Sequence, residues 1–152
     1  MSLKKIATKQ NEIAQRLDDI AKHSGLHSLL VMESTPTHMV VFAANEQPIY
    51  SVDDAGGKSN QEGCHELYCE RVVDTKEALL VADAKLDKEW MNNEDLVRFG
   101  LGVYYGVPII EHGEAVGTVC ALNDKAFDFT EGQPSVKELI GQLKHDIEAM
   151  LA

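Results

Sequence analysis

Long hydrophobic runs are missing from this sequence. No window of the 152 residues approaches the ~20 consecutive apolar residues of a membrane-spanning helix, and the first residues lack the apolar core of a secretory signal. We therefore expect a cytoplasmic protein with no membrane partner. The hydrophobic fraction of 44% and the charged fraction of 26% are ordinary for a soluble domain, and the length suits a single one over residues 1–152.

Basic residues are scarce. The chain has 14 lysines and arginines against 25 acidic residues, which gives a formal net charge of −11. Such a field repels phosphate backbones. Three lysines near the start, Lys4, Lys5 and Lys9, are better explained as the solvated end of a helix than as a nucleic-acid contact. We predict that the protein does not bind nucleic acid.

Cysteines are few and form no Cys-x-x-Cys pair. The three are Cys64, Cys69 and Cys120, an odd number that argues against a disulfide scaffold and for a reducing compartment. Cys64, His65 and Cys69 lie close together, but their spacing is not one of the usual zinc spacings and no fourth ligand is evident. We therefore predict no metal site and assign no catalytic residue.

Hydrophobic spacing predicts a helical unit at each end of the chain. An amphipathic helix over residues 4–22, within an N-terminal unit 1–24, ends at Gly25. The C-terminal unit spans residues 133–152, and its Ser135 and Glu138 have the spacing of a capping box. The apolar stripes of these two helices are also suited to a parallel contact between two copies of the chain, so we expect a homodimer.

Alternating and compact apolar runs predict strands between the two helical units. The expected strands cover residues 27–32, 38–44, 48–52, 78–82, 103–110 and 115–122. The four-residue link between the last two predicts a hairpin. A short helix is expected over residues 64–73, and two helical turns within 83–100, the second starting at 92–95 and stopping at Gly100. A polar, glycine-rich loop fills residues 53–63. This order favours an α+β fold built on an antiparallel sheet.

The last hairpin also carries a family resemblance. Its Gly106-Val107-Pro108-Ile109 run, followed by residues 115–123, resembles the signature of a GAF domain. Tyr68-Cys69-Glu70, residues 79–81, Asp83 and Asn123-Asp124-Lys125 fall where that family has comparable residues. The resemblance runs from about residue 67 to residue 151 and is only topological before that. In layout the chain is similar to the GAF domains of histidine kinases and of diguanylate cyclases.

The resemblance implies a GAF/PAS-like, profilin-type fold. A central antiparallel sheet of five or six strands is expected, with the terminal helices on one face and short helices plus loops on the other. The strand over residues 103–110 then faces segments 54–64 and 83–100, which would roof a pocket. Candidate wall residues share an aromatic ring or a thiol; they are Tyr68, Cys69, Trp90, Phe99, Tyr104 and Cys120. The alternative is that the aromatic rings simply fill the core.

Three kinds of GAF chemistry match this sequence poorly. The Cys64-His65 pair resembles a bilin attachment site, but the position equivalent to that site holds Asn92 and Asn93. Residues 123–125 give only part of the cyclic-nucleotide motif. Some GAF proteins reduce free methionine sulfoxide with loop cysteines; here the acidic neighbours of Cys64 oppose a thiolate, although a predicted helix start would favour one.

Two functional hypotheses therefore stand side by side. The chain is a sensory domain in signal transduction whose lid is ordered by an unidentified small molecule, or it is a structural module that serves dimerisation without a ligand. A thiol-dependent methionine sulfoxide reductase is the enzyme alternative. No cofactor is assigned.

Overall fold

A six-stranded antiparallel sheet forms the centre of the protein in the computed structural model, which describes residues 2–152. The strands are β1 (Ser28–Ser34), β2 (His38–Ala44), β3 (Ala55–Gly57), β4 (Leu79–Val81), β5 (Val103–Glu111) and β6 (Glu114–Asn123). Their order across the sheet is β3-β2-β1-β6-β5-β4, and every neighbouring pair is antiparallel. The predicted α+β fold is confirmed, and the last hairpin supplies two inner strands of the sheet, β5 and β6.

The helices divide between the two faces of the sheet. A 3₁₀ segment (Ser2–Lys9), α1 (Gln10–Ser24) and α4 (Val136–Leu151) pack on one face, here called the helix face. The opposite face, here called the lid face, is covered by α2 (Tyr68–Thr75), a 3₁₀ turn (Ala84–Leu86), α3 (Glu94–Phe99) and the connecting loops. None of the helices described over residues 2–152 is long and apolar enough to span a membrane.

Local signals in the sequence explain where most helices begin and end. Gly25 ends α1 in the left-handed conformation with φ 78°, and Gly100 ends α3 in the same way with φ 73°. Asn93 begins α3, because its side chain accepts hydrogen bonds from two backbone N–H groups of the first turn. The capping box predicted for Ser135 and Glu138 is present at the start of α4.

The strand predicted over residues 48–52 is wrong. The Gln47 side chain takes the hydrogen bonds that a neighbouring strand would accept. Its Oε1 accepts from the backbone N–H groups of Ile49 and Tyr50, both at 2.8 Å. These bonds hold the segment as a turn. The third strand forms later, at Ala55–Gly57, where it pairs with β2 inside the segment expected to be a loop.

Two helix starts also differ from their predictions. The short helix begins at Tyr68 rather than at residue 64, because the Glu70 carboxylate accepts hydrogen bonds from the backbone N–H groups of Leu67 and Ser59 and keeps the preceding residues extended. The N-terminal helix opens as a 3₁₀ segment that is kinked at Ile6. The backbone N–H of Leu3 donates to the buried Glu33 carboxylate at 2.8 Å, which fixes that segment against the sheet.

Strand alternation creates two separate hydrophobic cores. In β1, Leu29 points to the helix face and Leu30 to the lid face, as expected for a period of two. The helix-face core is mainly aliphatic and includes Ile13, Leu17, Ile140, Leu143 and Ile147. The lid-face core is rich in aromatic rings and sulfur and includes Met32, Met39, Tyr68, Cys69, Trp90, Tyr104 and Cys120.

Candidate functional site

A cavity of about 390 Å³ lies between the lid face of the sheet and its cover. Its floor is built from β1, β2, β5 and β6, and its roof from α2, α3 and the segment between β2 and β3. The volume falls within the range of small-molecule sites in proteins. The covering elements are short, so they leave part of the sheet uncovered, whereas α1 and α4 cover the opposite face along long apolar stripes.

Five of the six predicted wall residues line this cavity. They are Tyr68, Cys69, Phe99, Tyr104 and Cys120. Trp90 does not line it. The indole is buried behind Tyr68, with ring centroids 5.1 Å apart. The guanidinium of Arg71 lies over the indole ring, 4.9 Å from its centroid. Trp90 therefore supports the wall from behind.

Two stacked tyrosines form the deep end of the cavity. The rings of Tyr68 and Tyr104 lie 4.9 Å apart at an angle of 30°. The Tyr68 hydroxyl donates to the carbonyl of Leu101 at 3.1 Å, which fixes its ring. Gly106 lies under the Tyr104 hydroxyl, where a Cβ atom would overlap it. The small residue in β5 therefore allows the Tyr104 ring to lie along the strand.

The Tyr104 hydroxyl is an unpaired polar group. It is buried and finds no nitrogen or oxygen hydrogen-bond partner among residues 2–152; its polar neighbour is the thiol of Cys120, which is a weak partner. Burial raises the pKa of this phenol well above its ordinary value, with smaller contributions from the neighbouring thiols of Cys120 and Cys69. Buried polar groups are nearly always hydrogen-bonded, so an exception beside a cavity is a feature that a ligand could satisfy.

Asp95 and Tyr50 link α3 to the segment between β2 and β3 in the roof of the cavity. The Tyr50 hydroxyl donates to Asp95 Oδ1 at 2.6 Å, and the Tyr50 ring meets Phe99 edge-on with centroids 5.7 Å apart. Burial raises the pKa of Asp95 to about 6, although the hydrogen bond from Tyr50 acts in the opposite direction. Asp95 is only half-buried by exposed area, and carboxylates with raised pKa values are more frequent at functional sites than elsewhere.

Negative charge predominates around the cavity. Three carboxylates line it, from Asp54, Glu94 and Asp95, against one guanidinium, from Arg98. The Arg98 guanidinium is already bonded to Glu94 at 2.7 Å and lies over the Phe99 ring at 5.0 Å. The cavity thus combines an apolar floor with an acidic rim.

The cysteines at the cavity are protonated thiols. Burial raises the pKa of Cys120 to about 12 and that of Cys69 well above its ordinary value. Both effects disfavour the thiolate that nucleophilic chemistry requires. Cys64 is partly exposed and lies outside α2, with its sulfur close to Gly57 rather than at a helix start.

The part of the chain that is described contains no cluster of three or more histidine, cysteine or carboxylate side chains able to hold a metal ion. The three cysteines are free.

Sequence reasoning missed the most polar part of the site. The sequence pattern explains Asp95 and Glu94 only as a helix start, and it places Tyr50 in a strand that does not form. The sequence does contain a signal. Asn93 alone caps the short helix, so the two adjacent carboxylates in its first turn are not needed for capping and indicate another role.

An antiparallel sheet with a ligand-sized cavity under a loop-and-helix lid defines a class of small α+β domains. The chain belongs to the GAF domain family, whose model matches residues 12–143. No curated protein sequence matches it significantly.

Three solved structures illustrate the range of proteins with this fold. The GAF domain of an Acinetobacter phosphoenolpyruvate-protein phosphotransferase is 16% identical, with a TM-score of 0.64 over 99% of this chain and 90% of that one. Residues 122 to 287 of a methyl-accepting chemotaxis protein are 14% identical, with a TM-score of 0.69 over 96% and 86%. The type II free methionine-R-sulfoxide reductase of Thermoplasma acidophilum is 12% identical, with a TM-score of 0.66 over 98% and 94%.

Proposed function

We propose that this GAF domain is a small-molecule sensor in signal transduction. The observation that carries the proposal is the cavity of about 390 Å³, whose apolar floor, unpaired Tyr104 hydroxyl and raised-pKa Asp95 lie together on the lid face. A purely structural module would gain stability by filling this space with side chains. Instead the lid face keeps two polar groups that cost stability, which is typical of binding sites.

Ligand binding to the cavity is tested by blocking it. Ala55 lines the mouth from β3, so Ala55→Phe should place a ring in the opening. Val52→Phe is the matched control, because Val52 is exposed and lies outside the lining. A metabolite library is screened by thermal shift against the parent protein and both variants, since a ligand raises stability by mass action.

We expect at least one compound to stabilise the parent protein and the Val52→Phe variant but not the Ala55→Phe variant. If all hits act equally on the three proteins, binding is elsewhere and the cavity is not the site. If the full library gives no hit, and protein purified from its host carries no bound molecule by native mass spectrometry, the structural-module hypothesis replaces the sensor.

Strand β1 offers a direct route from the cavity to the N-terminal segment. Met32 lines the cavity, and the next residue, Glu33, accepts a hydrogen bond from the backbone N–H of Leu3 on the opposite face. A ligand that moves β1 would therefore act on the 3₁₀ segment and α1. Hydrogen exchange at Leu3 with and without a hit compound tests this step; unchanged exchange in that segment would contradict it.

We further propose a homodimer through the terminal helices, in a reducing compartment such as the cytoplasm. Across residues 2–152, the large apolar side chains that are exposed lie outside α1 and α4. Half-buried Leu139 and Met150 of α4 are the apolar groups available to a partner helix, so the contact would be small. Light scattering after size exclusion tests it, and a monomer at high concentration would contradict it.

A reductase activity is the second candidate, because a free methionine-R-sulfoxide reductase shares the fold. Protonated, buried Cys69 and Cys120 argue against it. Thiol labelling at neutral pH checks this point: we expect Cys64 to react first and the other two slowly. Rapid labelling of Cys69 or Cys120, together with turnover of free methionine sulfoxide, would favour the enzyme.

A further inference from the structure

We propose that the cavity selects organic amines: a ligand with a protonated ammonium group at the acidic rim and an apolar, preferably aromatic, body against the rings of Tyr68 and Tyr104. This inference rests on the proposed sensor function and adds the chemical class of the ligand. It follows from the negative charge at the rim, from the hydrogen bonding of the Asp95 carboxylate and from the unpaired Tyr104 hydroxyl at the deep end.

The negative charges at the rim disfavour anionic ligands. A carboxylate or phosphate entering the cavity would meet Asp54, Glu94 and Asp95, and the one guanidinium in the lining is already bonded to Glu94 at 2.7 Å. At such short range in a partly desolvated site, like charges repel strongly. An ammonium group meets the opposite situation, because it adds the positive charge that the rim lacks.

Asp95 is the principal partner for that ammonium group. Residues 2–152 provide it with a single side-chain donor, the Tyr50 hydroxyl, which reaches Oδ1 at 2.6 Å. Asp95 lines the cavity, and no hydrogen bond or ion pair within residues 2–152 joins its second carboxylate oxygen to another side chain. A charge-assisted hydrogen bond from an ammonium group would compensate the cost of a desolvated carboxylate, which no neutral ligand can do to the same degree.

The aromatic side chains suit the same ligand. Arg98 lies over the Phe99 ring at 5.0 Å, so one cation–π contact already exists at this edge of the cavity. Deeper in the cavity, Tyr68 and Tyr104 offer stacked rings to an apolar body. The Tyr104 hydroxyl, which is buried and unpaired, is a specific partner for a polar group on the far end of that body.

A matched set of four small molecules tests the proposal by isothermal titration calorimetry at pH 7.5. Tyramine carries an ammonium group and a phenol, phenethylamine lacks the phenol hydroxyl, tyrosol replaces the ammonium by an alcohol, and phloretate replaces it by a carboxylate. We expect affinity to fall in the order tyramine, phenethylamine, tyrosol, with phloretate weakest, and tyramine to bind at least about tenfold more tightly than phloretate.

Three variants identify the groups responsible. Asp95→Asn should weaken tyramine binding at least about tenfold and leave tyrosol nearly unchanged, because only the ammonium needs the charge. Asp74→Asn is the control, since Asp74 is exposed on α2 away from the cavity. Tyr104→Phe should reduce the preference for tyramine over phenethylamine.

The outcomes separate this inference from the sensor function. If tyrosol or phloretate binds as well as tyramine, or if Asp95→Asn leaves tyramine binding intact, the amine class is wrong while the cavity remains a binding site. If none of the four binds, the amine class is also wrong, and the library screen decides the sensor function independently.

Discussion

The two faces of one sheet differ in how completely they are closed. On the helix face, α1 and α4 are 15 and 16 residues long and cover the sheet with aliphatic side chains that are fully buried. On the lid face, α2 and α3 have only eight and six residues. Short helices cannot present a continuous apolar stripe, so the lid face is completed by loops, aromatic rings and polar groups, and a cavity remains.

Under the proposed sensor function, this difference assigns stability to one face of the sheet and binding to the other. The helix face supplies a closed core, in which any lost volume is costly. The lid face contains an unpaired hydroxyl and a carboxylate whose pKa is raised, which both reduce stability. A protein tolerates such groups where they serve a ligand, and the helix face provides the stability that permits them.

Substituting two neighbouring leucines of β1 compares the packing of the two faces, with the largest expected effect on stability. Leu29 lies in the closed core and Leu30 lines the cavity, so the two Leu→Ala variants differ only in the face that they change. We expect Leu29→Ala to reduce the free energy of unfolding by about 3–5 kcal/mol and Leu30→Ala by about 1–2 kcal/mol, because the Leu30 side chain already borders empty space. Urea unfolding measures both values. Equal losses would show that the lid face is packed as tightly as the helix face.

Asp95→Asn should stabilise the free protein. Burial raises the pKa of Asp95 from its ordinary 3.8 to about 6, so the native state binds the proton more tightly than the unfolded state does. The carboxyl therefore costs nothing below its unfolded pKa, and the cost grows as pH rises and is complete above pH ~6. We expect the variant to be more stable than the parent by about 2 kcal/mol at pH 7.5.

The pH dependence gives this prediction its control. The stability difference between Asp95→Asn and the parent should shrink toward zero as the pH falls from 6.5 to ~4, measured by urea unfolding at each pH. Exposed Asp74→Asn should show no such trend. A destabilised Asp95→Asn variant at neutral pH would mean that the Asp95 carboxylate serves the fold rather than a ligand.

Two tyrosine-to-phenylalanine variants, one on each face of the sheet, have the smallest expected effect on stability. The Tyr50 hydroxyl is a donor to Asp95 on the lid face, whereas Tyr105 packs on the helix face against Phe129 with centroids 5.4 Å apart. We expect Tyr50→Phe to cost about 1 kcal/mol at pH 7.5 and less at pH 5, because the lost hydrogen bond matters most to the ionised carboxylate. Tyr105→Phe should change stability by less than about 0.5 kcal/mol. Thermal unfolding at the two pH values distinguishes these results.

The sequence was sufficient to predict the elements that long apolar patterns or strong caps define. Local signals account for the hairpin of β5 and β6, the C-terminal helix, and the ends of α1 at Gly25 and of α3 at Gly100. The third strand was wrong because a single side chain, Gln47, replaces the strand partner of residues 49–50, and this competition is invisible to periodicity. The late start of α2 depends on Glu70, which binds backbone N–H groups brought in from another segment.

The cavity walls were easier to predict than its rim. Tyr104 lies on the strand over residues 103–110, Phe99 on a segment predicted to face it, and Tyr68 at the start of the family resemblance, so their aromatic rings were evident as wall candidates. Asp95 was hidden, because an acidic residue in the first turn of a helix already has an ordinary explanation. Its role depends on Tyr50, which lies 45 residues away in the chain and meets it only when the lid folds over the sheet.

A crystal structure of the protein purified from its host tests the central claim most directly. We predict an open cavity on the lid face, with density for a small molecule or ordered solvent in contact with Asp95, Tyr68 and Tyr104, and no space between the sheet and the terminal helices. A lid face in which Tyr50 and Phe99 have moved inward to fill the cavity would contradict it.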